Sequence, residues 1–134
     1  MTDLKSLKIT PVDAQAARDG TWTKYRGVDL KIARAGNEKF AKTFMRLSRP
    51  HRKDIQQDTI DNKIAADIMC EALADGILVG WKNFVINDEE IEFNKENAFS
   101  LLKNDEDCRK FVQEFAQDLN NFIVADKENT VAKS

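Results

Sequence analysis

The residues that could do chemistry in this chain are few and stand far apart. His51 is the only histidine, so any imidazole acid–base scheme rests on one residue beside Pro50. Cys70 and Cys108 are the two cysteines, each inside a helical pattern, and they form no close-spaced ligand pair. Zinc asks for three or four well-spaced ligands, and one histidine with two distant cysteines does not supply them. Asp88, Glu89, Glu90 and Glu92 could attract a hard cation, but a helix–loop–helix calcium site needs a longer alternating pattern around a central glycine. These acids read as a solvated hairpin tip. Gly76-x-x-x-Gly80 is followed by no Lys-Ser or Lys-Thr and is not a phosphate loop. The expectation is no catalytic residue, no metal and no cofactor: a protein that works by binding other proteins, not an enzyme.

One charged cluster remains. Arg46, Arg49, Arg52 and Lys53 surround Pro50 and His51, between two helical patterns. A basic joint between helices is the arrangement of a helix-turn-helix module, and it would contact phosphates. Against this, the isoelectric point is about 5.5, and Asp54, Asp58 and Asp61 open the next segment, where they would repel a nucleic-acid backbone. The patch therefore reads as solvated or protein-binding, with a small DNA-binding regulatory protein as the alternative and nucleic acid not expected as the partner. Trp81 joins these four as a partner-binding candidate, because tryptophan is frequent at interface hot spots; its other reading is an anchor between helix and hairpin.

The elements that must position these residues follow from periodicity and punctuation. Asp13 to Asp19 suits a short helix closed by Gly20. Thr21 to Tyr25 and Val28 to Ala33 read as strands joined at Arg26-Gly27, since Val28, Leu30 and Ile32 alternate with polar or small neighbours. Asn37 suits the N-cap of a helix to Ser48, with Phe40, Phe44, Met45 and Leu47 on one face, ended by Pro50. Ile60, Ile64 and Ile68 recur every four residues, which predicts one long helix from about Asp54 to Leu78. Phe84 to Ile86 and Ile91 to Phe93 read as short strands around the acids. Asn94 caps a helix through Leu101 and Leu102, and Asn104 to Asp107 opens a last helix with acids at the positive end of its dipole. Phe111, Val112, Phe115, Leu119, Phe122 and Ile123 form its apolar face. The fold class is α+β, mainly α: an N-terminal β-hairpin, a long central helix, a short acidic hairpin and two C-terminal amphipathic helices. Residues 1–125 read as one globular domain and 126–134 as a polar flexible tail.

Charge is unevenly divided. Residues 1–53 carry a balance of +8 and residues 54–134 one of −10, so copies could attract head to tail; internal neutralisation is the other reading. No run of about 18 apolar residues predicts a membrane span, and Met1-Thr2-Asp3-Leu4-Lys5 lacks a signal-peptide core. With two thiols expected to stay reduced, the expected location is the cytoplasm.

The order of elements resembles a family. Gly80-Trp81-Lys82-Asn83-Phe84 after a long helix leads to Ile91-Glu92-Phe93-Asn94, then Glu96-Asn97-Ala98-x-x-Leu101-Leu102, then Phe111-Val112-Gln113-Glu114-Phe115-Ala116. Earlier, Gly20-Thr21-Trp22 precedes the strand Val28 to Ile32 and Ala33-Arg34-Ala35-Gly36-Asn37. Together these resemble the tail assembly chaperones of long-tailed bacteriophages and prophages over roughly residues 19–123. The departure is Asn87-Asp88-Glu89-Glu90, where relatives often carry an Asp-Gly turn. The resemblance implies a non-enzymatic, self-associating protein of the host cytoplasm. It would coat and solubilise the helix-rich tape measure protein during tail morphogenesis and be absent from the finished virion. It also implies a longer frameshifted form that recruits tail tube protein, a junction that Asp126 to Ser134 would suit.

Overall fold

The first strand pair is set by its turn. Arg26 (φ 48°) and Gly27 (φ 85°) both take left-handed backbone, which matches the twist of a two-residue hairpin. This turn joins β1 (Thr21–Tyr25) to β2 (Val28–Ile32), with Trp22 opposite Lys31 and Thr23 opposite Leu30. The computed structural model describes residues 10–124; the proposed tail lies outside the described residues. A short helix, α1 (Ala14–Asp19), precedes β1, and Asp13 caps it by accepting from the Gln15 and Ala16 amides.

The hairpin gains a third strand that the sequence reading missed. β3 (Leu78–Lys82) pairs antiparallel with β2, Leu30 facing Trp81, with an irregularity between Lys31 and Ile32. Leu30, Ile32, Leu78 and Trp81 thereby point to one buried layer.

Four helices cover that layer: α2 (Glu38–Ser48), α4 (Asn62–Gly76), α5 (Lys95–Asn104) and α6 (Glu106–Gln117). Each starts on a side-chain cap, from Asn37, Asp61, Asn94 and Asp105 respectively, which satisfies amides that the first turn leaves orphaned. α4 is central, with α2 on one side and α5 on the other. Cys70, Leu73, Leu102, Cys108 and Val112 close the core. Both thiols are free and buried, and burial pushes the Cys108 thiol up to about 11. The fold is α+β and mainly α, as expected.

Three boundaries differ from the sequence reading. The single helix over 54–78 is two: α3 (Arg52–Gln56) and α4, separated where Asp58 takes φ 56°. The break is held by Thr59, whose amide donates to the Asp54 carbonyl at 2.7 Å, and by the Asp61 cap. Ile60 thus lies off the helix whose stripe it was meant to begin. Pro50 does not end the helical run outright either; a 3₁₀ turn, Arg49–His51, carries the chain from α2 into α3. At the far end α6 stops at Gln117 and a 3₁₀ turn, Leu119–Asn121, folds Phe122 back to full burial against Phe115, at 6.0 Å between rings. Leu119 is left exposed, and Ile123 bridges to Val12.

The acidic hairpin is shorter than expected, and its second strand falls on Glu89–Glu90, within the expected turn, instead of Ile91 to Phe93. β4 (Val85–Ile86) pairs with β5 (Glu89–Glu90), and the turn residues Asn87 (φ 52°) and Asp88 (φ 66°) are both left-handed. Asn and Asp tolerate this geometry without glycine.

Candidate functional site

α2 and α4 run antiparallel, and one end of the pair is closed tightly. Gly76 sits against Phe40 so closely that a Cβ there would lie 2.6 Å from the Phe40 nitrogen. Asn37 Nδ2 donates to the Gly76 carbonyl at 2.9 Å and to that of Arg34 at 2.7 Å. Thr43 Oγ1 donates to Asp75, which also pairs with Lys95 at 3.0 Å. Burial works against the Asp75 charge, but the hydrogen bonds from Thr43 and Lys95 outweigh it and hold the carboxyl below its ordinary value.

The other end stays open. Where the chain leaves α2, the 3₁₀ turn and α3 swing outward before α4 begins. Between them lies a groove of about 440 Å³, within the range of ligand clefts. Phe44 and Met45 line it from α2, Ile55 from α3, Ile60 from the break, and Ile68 and Met69 from α4. Met45 is 66% exposed and Ile55 43%, both large apolar side chains left open to solvent. Arg49 and Arg52 also line the groove, and Arg46 and Lys53 stand exposed beside them in sequence. Among the described residues none of these four cations joins a salt bridge, though seven ion pairs occur elsewhere.

The structure thus brings Arg49 and Arg52 to one groove with an apolar floor that sequence reasoning did not foresee, and leaves Arg46 and Lys53 exposed outside its lining. It takes Trp81 away from them. Trp81 is 8% exposed, its indole N–H donates to the Ile91 carbonyl at 2.8 Å, and its ring packs on Phe84 and Phe93 at 5.0 and 4.9 Å. It is the anchor between the sheet and the segment after the acidic hairpin. The exposed tryptophan is Trp22, at 43%, lying on the outer face of the sheet under Lys82 at 4.4 Å and Lys31 at 5.7 Å. Its register opposite Lys31, fixed by the Arg26-Gly27 turn, was the available signal.

His51 lies half-buried in the turn. Among the described residues no group of three or more His, Cys, Asp or Glu is placed to hold a metal ion, and no helix is long and apolar enough to cross a membrane.

A family model described as YdaY prophage protein matches residues 35–133. That span contains the groove, the acidic hairpin and all four covering helices, and it begins after the N-terminal hairpin. No curated protein and no solved structure matches the chain.

Proposed function

We propose that this chain, which belongs to the YdaY prophage protein family, is a tail assembly chaperone: a non-enzymatic, cytoplasmic binding protein that keeps the tape measure protein soluble while a phage tail is built. The observation that carries this reading is the open groove, an apolar cleft lined by two arginines that, among the described residues, join no salt bridge. A cleft of that kind fits an amphipathic helix, which would lay its apolar stripe along Met45, Ile55 and Met69 and present acids to Arg49 and Arg52. Masking such helices is the task of a chaperone for a long helical protein, whose exposed stripes otherwise aggregate. Tail tube protein, through a longer frameshifted form, remains part of the same proposal.

The DNA-binding alternative has less support, because the arginines stand around an apolar cleft and α3, only five residues long, offers little to a major groove. The deciding experiment is co-expression with the long helix-rich protein encoded beside this chain, followed by pull-down and comparison of soluble fractions. The chaperone reading expects the partner to become soluble only in company with this chain. A partner unchanged in solubility, together with salt-dependent DNA binding by the chain, would replace it with the regulator.

A further inference from the structure

The acidic hairpin carries a second unpartnered apolar surface. Val85 is 56% exposed and Ile86 50%, on a two-strand ribbon that also bears Asp88, Glu89, Glu90 and, just beyond, Glu92. Among the described residues none of these acids joins a salt bridge, and none of the hairpin's residues lines the groove of its own chain. Nor do the basic and acidic halves of the sequence cancel by direct pairing. Among the described residues a single ion pair crosses the division at residue 53, Arg26 with Asp107 at 3.9 Å, both ends exposed. The groove lining holds two arginines and no acid, Asp54, Asp58 and Asp61 standing outside it, so two open surfaces on one molecule carry opposite charge beside apolar side chains.

We propose that the groove of one copy receives the acidic hairpin of a second copy, Val85 and Ile86 entering between Met45 and Ile55 while Glu89 and Glu90 face Arg49 and Arg52. The contact is heterologous, since the donor's groove and the acceptor's hairpin stay free, so copies add head to tail into a ring or an open strand. A hairpin tip in a cleft buries far less than the area of a stable dimer, and small interfaces of that kind are weak and transient. Weakness suits the site. An acidic amphipathic target helix has the same chemistry as the hairpin and displaces it, so self-association covers the apolar groove only while no target is present.

The inference rests on the groove being a docking surface, as the chaperone reading does, but not on the tape measure protein. Its test uses the chain alone, near the upper end of its soluble concentration, with mass measured by sedimentation or light scattering. At about 0.1 M salt, where screening extends over about 10 Å, the mass should exceed the 15.3 kDa of one chain. At about 1 M, where it falls to about 3 Å, the mass should return toward that value. Two variants sharpen the result: Arg49→Glu with Arg52→Glu, and Glu89→Lys with Glu90→Lys. All four positions are exposed, so circular dichroism should match the wild type. Each variant alone should remain monomeric in low salt, and an equimolar mixture should associate again, because each then meets the opposite charge in its partner. A monomeric wild type in low salt, variants that associate like it, or a mixture that stays monomeric would each overturn the proposal. A chain that associates yet leaves the tape measure protein insoluble would end the chaperone reading alone.

Discussion

The two ends of the α2–α4 pair are built from the same helices and behave as different materials. At the Gly76 end the backbones touch, a glycine makes room for Phe40, and Asn37, Thr43 and Asp75 pin the contact with hydrogen bonds. At the Arg49 end a groove opens between α2, α3 and α4, and Met45 and Ile55 are exposed. Tight packing and an open groove thus stand at opposite ends of one helix pair. Stability and binding should therefore separate cleanly along one helix pair.

The largest break in that separation should come from Gly76→Ala. The added methyl meets Phe40 backbone, which cannot move without shifting α2, so overpacking should cost about 1–3 kcal/mol, read by denaturant titration, and should alter the groove as well. Asn37→Ala removes both a helix cap and the tie to the Gly76 carbonyl; about 1–2 kcal/mol is expected in the same assay. A smaller and pH-dependent effect belongs to Asp75. Its folded pKa is depressed, so its contribution is present above the ordinary carboxylate range and is lost as pH falls through the folded value. Wild type should therefore outlast Asp75→Asn in thermal melts near neutrality, and the gap should close in acid. At the open end Met45→Ser and Ile55→Ser should change stability by less than about 0.5 kcal/mol, since neither side chain is buried; a loss above about 1.5 kcal/mol would mean that the groove is core.

Much of the fold was legible because its signals are local. Asn37, Asn94 and the Asp105 region announced their helices by type and position, and the Val28–Ile32 alternation announced its strand. β3 was not legible, since Leu78–Lys82 follows α4 without a turn signal and its partner β2 lies far away in sequence. The groove was hidden for a related reason. Phe44, Met45 and Ile60 have the spacing of buried helical faces, yet they line a groove beside α3, whose separation from α4 rests on Asp58, Thr59 and Asp61. The arginines were found by their clustering alone. Trp81 had two readings, interface or anchor, and residue type alone does not reveal which face of an unrecognised strand points inward.

The most direct test of the central claim couples the groove to its expected target. Met45→Glu with Ile55→Glu places charge on the groove's apolar side chains, both exposed, and should leave the melting curve close to that of the wild type. Co-expressed with a tape measure protein, the proposed partner, this variant should leave that protein in the pellet where the wild type should bring it into solution. Equal solubilisation by a folded double variant would contradict the account, and the binding face would have to be sought elsewhere on the molecule.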